Sequence, residues 1–330
     1  MTRLAARLTV VLGLALAAAP ALAHHGTAAV SAIGAEGPGA ALDTTSPLPL
    51  GQGTLFVLAK GEYVPFQQRD GFTDQKSFSS FNTLALGYGV NRWLSAFLFQ
   101  PYNAKAQDGV GTNTGPGDTN LMLSASLKWD EGLRLAPEKE SLDDLADWHF
   151  GLWLSCSLPV GPTTHRDDHG ELYAPDMQTG FNGPSFGAGL AVMKQLATDF
   201  TLLAEANHQR FLDRGYDEAG YRYRFGAETR GNAALAYRAW AGGGRRVDLA
   251  PEVGWLHLER DREDGVALRA SGGDVLYGQL GARVTLGSFS LGASVKRALA
   301  KALHEAADQQ GSEGLETLRA SLVLAWATRL

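Results

Sequence analysis

Hydrophobic and polar residues alternate with a period of two along most of the chain after residue 53. The C-terminal stretch 318–330, LRASLVLAWATRL, places leucine and tryptophan on one face and arginine and serine on the other. The stretch 221–240, YRYRFGAETRGNAALAYRAW, alternates in the same way. A period of two predicts β-strands, and these runs are two to three times longer than a usual soluble strand of about 5–6 residues.

Twelve segments carry this pattern, and their connections alternate between short and long. The segments are residues 53–65, 77–90, 93–104, 117–130, 148–159, 183–195, 199–212, 221–240, 247–261, 274–286, 288–301 and 314–330. In lipid, a sheet can hydrogen-bond all its backbone N–H and C=O groups only if it closes on itself and leaves no edge. We therefore predict an all-β fold: a closed antiparallel transmembrane β-barrel of about 12 strands, with short periplasmic turns and longer outer loops. A secreted β-sandwich is the soluble alternative, but its strands would be shorter.

The first 23 residues have the three parts of a secretory signal peptide. A basic start precedes an apolar run over residues 8–19 and the sequence Ala-Leu-Ala, which predicts cleavage after Ala23. The run is too short for a membrane helix, which needs about 20 residues. We expect a bacterial outer-membrane protein made of a signal peptide (1–23), a flexible periplasmic N-terminal arm (24–52) without periodicity, and the barrel (53–330).

Charge and cysteine content exclude some classes of protein. The chain has 29 basic and 35 acidic residues, and removing residues 1–23 leaves 27 basic residues and a formal charge of −8. An acidic chain without a basic run is a poor candidate for binding nucleic acid. The single cysteine, Cys156, excludes an internal disulfide. The partners we expect are outer-membrane lipid, a small solute and, during biogenesis, the barrel-assembly machinery.

Several turns resemble those of a known family. The stretch LALGYGVNRWLSAFLFQPY, followed by GPGDTNLMLSASLKW, contains Tyr88-Gly89, Pro101-Tyr102 and Gly117-Asp118. These motifs, with LSCSLPVG and MQTGFNGPSFGAGLAV, resemble the outer-membrane barrels of the phenol-degradation meta-pathway family. The resemblance covers about residues 53–330 and implies an outer-membrane barrel and passive transport. The motifs are mostly turn and strand glycines, so they specify architecture better than substrate.

The inward faces of the predicted strands carry many polar residues. These candidates for the solute pathway are Lys60, Glu62, Lys128, His149, Glu205, Asn207, Arg222, Arg224, Glu228, Arg230, Asp248, Glu252, Gln279, Arg283, Lys296 and Arg319. A twelve-strand barrel is narrow, so these groups either block the lumen with ion pairs or line a wet passage. The glycines at positions 187, 189, 281 and 292 leave room inside the barrel and therefore favour a passage. An excess of arginine favours an anionic or polar aromatic solute.

Two histidine pairs are candidates for metal binding. His24 and His25 would begin the mature chain, where imidazole and the α-amino group suit copper or zinc. His165 and His169 flank Arg-Asp-Asp in a predicted outer loop and form a second candidate. The plainer interpretation of each pair is a solvated terminus or a polar loop, and no cofactor is required.

An enzyme is not expected. Lipid hydrolysis at the outer rim needs a serine beside a base, and neither His208 nor His257 has a serine at a suitable position. The prediction is therefore a channel or facilitated transporter for a small solute. The alternatives are a metal-binding outer-membrane protein that uses the N-terminal histidines, and a structural barrel with a blocked lumen.

Overall fold

The computed structural model describes residues 38–136, 146–216 and 220–330. Twelve strands in these ranges form the barrel wall. They are β1 (Thr54–Pro65), β2 (Lys76–Gly89), β3 (Leu94–Gln107), β4 (Thr119–Trp129), β5 (Trp148–Leu158), β6 (Ser185–Ala197), β7 (Phe200–Phe211), β8 (Glu228–Gly242), β9 (Arg245–Leu258), β10 (Gly273–Leu286), β11 (Phe289–Leu303) and β12 (Arg319–Arg329). Each strand pairs antiparallel with its neighbours in sequence, and β1 pairs with β12 from Thr54↔Arg329 to Tyr63↔Ala320. The predicted closed twelve-strand barrel is confirmed.

The alternation of side chains gives the wall two different faces. Outward residues are apolar and exposed, as shown by Leu154 at 68% and Leu280 at 71%, while the inward neighbours are buried. Because the sheet is closed, the backbone N–H and C=O groups of every strand can form hydrogen bonds within the wall. Any structure that spans a lipid bilayer must satisfy its backbone groups in this way. Among the described residues, none of the helical segments has the length and hydrophobicity needed to cross a membrane.

The two ends of the barrel differ in their connections. At one end, the turn end, strands are joined by the short connections 90–93, 198–199, 243–244 and 287–288 and by one long connection, 130–147, of which residues 137–145 are outside the described residues. At the other, the loop end, the connections are 66–75, 108–118, 159–184, 212–227, 259–272 and 304–318. Glycines at positive φ shape the tightest turns: Gly243 has φ 59° and Gly244 has φ 72°, which lets a two-residue connection reverse the chain.

The predicted strand 221–240 is divided in the structure. Residues 221–224 belong to a small four-stranded sheet at the loop end, with Arg214–Tyr216, Arg262–Glu263 and Val266–Ala267. The barrel strand β8 starts only at Glu228. Between them, the Gly226 backbone N–H donates to Asp261 Oδ1 at 2.7 Å, which takes the chain out of the barrel ladder. A period of two predicts a strand but not the sheet to which it belongs.

The N-terminal residues that the structure describes lie inside the barrel. The prediction of a flexible periplasmic arm is wrong for residues 38–50, because Ala41 and Thr44 are fully buried and bonded to the wall. We call residues 38–50 the lumen segment. Residues 24–37, the rest of the predicted arm, are outside the described residues, as is the predicted signal peptide.

Candidate solute pathway

The lumen segment enters and leaves the barrel at the turn end. At its start the Arg246 guanidinium donates to the Pro38 carbonyl oxygen at 2.5 Å, and the Gly39 N–H donates to Thr201 Oγ1 at 2.7 Å. At its end the Leu50 N–H donates to Ser95 Oγ at 2.9 Å. Each of these wall residues is the second residue of its strand and therefore lies at the turn end. Between these points the segment reaches the middle of the barrel and turns back.

Two wall carboxylates hold the innermost point of the segment. Glu252 accepts from the backbone N–H groups of Leu42 and Thr44 and from Thr44 Oγ1, each at 2.8 Å. Glu205 accepts from the Thr45 N–H at 3.0 Å. Buried backbone N–H groups need partners, and carboxylates are strong acceptors. The wall therefore supplies the hydrogen-bond acceptors for the backbone N–H groups of the segment from side chains rather than from a β-ladder.

Asp43 forms the centre of an ion-pair network at mid-height. Its carboxylate lies 2.8 Å from Lys60 Nζ and 2.6 Å from Lys296 Nζ, and all three side chains are less than 20% exposed. Burial alone would raise the pKa of Asp43, but Lys296 and Lys60 outweigh it and hold that pKa well below its ordinary value. The network continues along the wall, because Glu62 pairs with Arg319 at 3.1 Å. These charges close the lumen.

Apolar packing completes the closure. Leu42 packs in a cluster with Phe56, Leu58 and Val323. Its side chain also lies against Gly281 and Gly292, where a β-carbon would collide with it. The glycines that favoured an open passage in the sequence therefore accommodate Leu42. Trp153 covers Gly189 in the same way.

Two cavities that are lined by described residues lie above the lumen segment. The inner one, about 90 Å³, is lined by Asp43, Thr45, Lys60, Glu62, Trp153, Glu205, Asn207, Gln209, Arg230, Asn232, Glu252, Tyr277, Gln279, Lys296 and Arg319, among others. The outer one, about 230 Å³, has six acidic lining residues, Asp176, Glu228, Glu259, Asp261, Asp308 and Glu313, and two basic ones, Lys76 and Arg319. Aromatic side chains, Phe66, Phe81, Tyr223 and Phe225, also line the outer cavity.

The connection 159–184 folds over the loop end. Its 3₁₀ turn, Pro175–Met177, is held from the wall, where Lys105 Nζ donates to the carbonyl oxygens of Asp176 and Gln178. Asn103 Nδ2 donates to the Thr179 carbonyl oxygen at 2.6 Å. Burial would raise the pKa of Asp176, but the Lys76 ammonium 2.5 Å away outweighs it and lowers that pKa. This loop, which contributes Asp176 to the lining of the outer cavity, is thus bonded to the wall.

The structure places fourteen of the sixteen candidate pathway residues on the inner face. Glu228 faces the outer cavity, Asp248 and Arg283 lie near the lumen segment, and Lys128 and His149 are buried at the turn end. The others line the inner cavity: Lys60, Glu62, Glu205, Asn207, Arg230, Glu252, Gln279, Lys296 and Arg319.

Two of the predicted pathway residues are not in the lumen. Arg222 and Arg224 belong to the small sheet at the loop end, and the Arg222 side chain is 62% exposed beside Asp213. Two lumen arginines pair with acids, Arg230 with Glu228 at 2.8 Å and Arg319 with Glu316 at 2.7 Å, while Arg283 donates to the Ala41 carbonyl oxygen. The arginine excess that the sequence analysis assumed is therefore absent from the lumen residues that the structure describes.

The structure describes the second of the two predicted histidine pairs, in the connection 159–184. His165 Nδ1 lies 2.6 Å from Asn113 Oδ1, and His169 is exposed. Within the described ranges no three His, Cys, Asp or Glu side chains come close enough together to hold a metal ion. His24 and His25 lie outside the described residues, so metal binding there stays a prediction.

Comparison with known proteins supports the architecture. No family model matches the chain, and no curated protein matches it. The chain is similar to the solved structure of an outer-membrane channel from Pseudomonas putida F1, with 15% identity and a TM-score of 0.64, over 87% of this chain and 100% of that one. The fold is that of an outer-membrane β-barrel. Membership of the phenol-degradation meta-pathway family stays a prediction.

More distant barrels also match. The β-domain of the Bordetella autotransporter BrkA has 12% identity and a TM-score of 0.45, over 84% of this chain and 100% of that one. The NanC porin has 9% identity and a TM-score of 0.43, over 84% of this chain and 99% of that one.

Proposed function

We propose that this protein is an outer-membrane channel for small polar solutes, closed at rest by its own lumen segment. The observation that carries the proposal is the way residues 38–50 are held. Their hydrogen bonds run to wall side chains, including Glu252, Glu205 and Arg283, whereas backbone ladders join the wall strands. The segment can therefore leave the lumen without opening the ladder. The turn end would face the periplasm, as short connections do in outer-membrane barrels.

The lining charges indicate which solutes would pass. The anion preference expected from the sequence depended on inward arginines, two of which lie outside the lumen. The outer cavity has six acidic and two basic lining residues, so its field favours cations. We therefore propose small cations, including organic cations that contact the aromatic lining, as the favoured solutes.

A structural barrel is the second candidate, because the lumen is filled in this structure. Single-channel recording of the full mature chain in a planar bilayer separates the two. The channel proposal expects transient openings with a stable unit conductance and a cation-selective reversal potential. A barrel that is folded, as shown by heat-modifiable gel mobility, yet silent over long recordings would favour the structural role.

A further inference from the structure

The wall side chains around residues 42–45 of the lumen segment carry both signs of charge. On one side, Lys60 and Lys296 hold the carboxylate of Asp43 at 2.8 and 2.6 Å. On the other side, the carboxylates of Glu205 and Glu252 accept hydrogen bonds from backbone N–H groups of the segment. We call these four wall residues the mid-height site. The site presents cations and anions together to whatever occupies the middle of the barrel.

Neither carboxylate of this site forms an ion pair within the part of the chain that the structure describes. Gln279 Nε2 donates to Glu252 Oε1 at 3.1 Å, and Asn232 Nδ2 donates to Glu205 Oε1 at 2.6 Å. These amides orient the carboxylates without neutralising them. Glu252 is 5% exposed and Glu205 is 9% exposed, and a buried charge without an opposite charge is costly. The carboxylates therefore favour a positively charged N–H donor.

The two lysines depend on the lumen segment for their carboxylate. Among the described residues, Asp43 is the one ion-pair partner of Lys296, whose ammonium group also lies 5.3 Å from the centre of the Tyr277 ring. Lys60 has a second carboxylate near it, that of Glu62, but at a longer distance of 3.7 Å. Withdrawal of the segment therefore leaves the lysines able to bind a carboxylate from another molecule.

Asp43 contacts both parts of the site with a single residue. Its backbone nitrogen lies 3.2 Å from each carboxylate oxygen of Glu252, while its own carboxylate contacts the two lysines. The Cα and Cβ atoms separate that nitrogen from the carboxylate carbon. A free β-amino acid has the same spacing, and its nitrogen is an ammonium group. The ammonium group brings the positive charge that the backbone N–H lacks, so it would pair with Glu252 as an ion.

The inner cavity gives a free molecule access to this site. All four wall residues of the site and Asp43 line that cavity, whose volume is about 90 Å³. Because the cavity lies above the lumen segment, a small molecule within it can contact the lysines and the carboxylates and compete with Asp43.

We propose that the mid-height site binds a β-amino acid, which takes the place of Asp43 and displaces the lumen segment. The carboxylate of the ligand lies between Lys60 and Lys296, and its ammonium group donates to Glu252. The inference rests on the proposed function, because withdrawal of the lumen segment is the step that opens the channel. The segment is a competitor tethered to the barrel, so the apparent affinity for the free ligand is reduced by the fraction of barrels whose site it occupies.

Calorimetric titration of the purified full mature chain with β-alanine in detergent tests the proposal. We expect Asp43→Asn to bind β-alanine about 100-fold more tightly than the wild-type chain does, because the tethered competitor loses its carboxylate. Asp70→Asn makes the same charge change in an exposed loop and should bind like the wild type. Propionate, which lacks the ammonium group, and glycine, whose nitrogen is closer to its carboxylate, should bind to Asp43→Asn about tenfold more weakly than β-alanine.

A second substitution in the Asp43→Asn chain tests the lysine side of the site. With Asp43 replaced, Lys296 no longer forms an ion pair with the lumen segment, so Lys296→Gln acts on the ligand and not on the gate. We expect the double variant to bind β-alanine about tenfold more weakly than Asp43→Asn does. Lys301→Gln, at an exposed position on the same strand, is the matched control and should leave the affinity unchanged. Heat-modifiable gel mobility checks that each variant is folded.

Two results would overturn the proposal: no binding of β-alanine by folded Asp43→Asn, or equal binding of β-alanine and propionate. Bilayer recording distinguishes these results from failure of the channel itself. Openings in a chain that does not bind β-alanine would support the channel and reject the mid-height site. Binding by a chain that stays silent would support the site and contradict the proposed function. Openings that become more frequent as β-alanine is added would support both.

Discussion

Different kinds of chain occupy the two halves of the lumen. At the turn end, a single segment that precedes β1 occupies the lumen and is held by charged groups, with Asp43 between Lys60 and Lys296. At the loop end, the outer cavity is lined by connections that are joined to wall strands on both sides, chiefly 259–272 and 304–318, with Asp176 from 159–184. A segment of the first kind can withdraw as a unit, whereas a connection of the second kind can only shift. In the proposed channel, the turn end would therefore gate the lumen and the loop end would select the solute.

Deleting residues 38–50 should have the largest effect on this comparison. Removal of the lumen segment leaves the β1–β12 ladder intact and empties the turn-end half. We expect long-lived open steps in planar bilayers where the full chain opens only briefly. Heat-modifiable gel mobility checks that the deleted barrel is folded. A folded deletion variant that conducts no better than the full chain would show that the loop end alone closes the channel.

Asp43→Asn should give the next largest effect. It removes the carboxylate between two lysines in a buried site, and breaking such a pair by removing one partner costs about 3 kcal/mol. That cost corresponds to about a 100-fold shift toward open states, measured as open probability. Asp70→Asn makes the same charge change in an exposed loop and should leave the open probability unchanged. An unchanged open probability in Asp43→Asn would remove this ion pair from the gate.

Thr44→Ala should have a smaller effect of the same sign. It deletes the hydrogen bond from Thr44 Oγ1 to Glu252, while the backbone N–H groups keep theirs. The loss of one bond to a carboxylate costs about 1–2 kcal/mol, which raises the open probability by about tenfold. Thr73→Ala, in an exposed loop, is the matched control. A decrease in open probability would contradict the account.

Asp308→Asn should have the smallest effect and concerns the loop end. It removes one acidic residue from the lining of the outer cavity. We expect the cation-to-anion permeability ratio, measured from the reversal potential, to fall by less than about twofold, because salt screens a single partly exposed charge. The open probability should not change. A shift toward cations would contradict the proposed role of the acidic lining.

The sequence predicted the wall well because the wall follows a local rule. Lipid outside and a filled lumen inside impose a period of two, so strands such as β10 and β11 begin and end within a few residues of their predicted limits. The rule failed at residues 221–227, where Tyr223 alternates in phase but belongs to another sheet. Pairing partners depend on tertiary structure and not on periodicity.

The candidate pathway was predictable only on the wall side. Inward polar residues such as Glu252 follow from alternation, but their partners in the lumen segment do not, because residues 38–50 have no period. Gly281 and Gly292 were the usable signal: two small inward residues on adjacent strands that accommodate a side chain from elsewhere.

A reversible cross-link tests the gate most directly. A β-carbon added at position 39 would lie 2.7 Å from the Ala236 β-carbon, about 1 Å closer than the β-carbons of a disulfide. With a shift of that size at the start of the lumen segment, Gly39→Cys and Ala236→Cys, combined with Cys156→Ser, would tie the segment in place. In planar bilayers we predict no openings from the oxidised protein and recovery of openings when a reductant is added. Openings of equal frequency before and after reduction would contradict the claim that the lumen segment gates this channel.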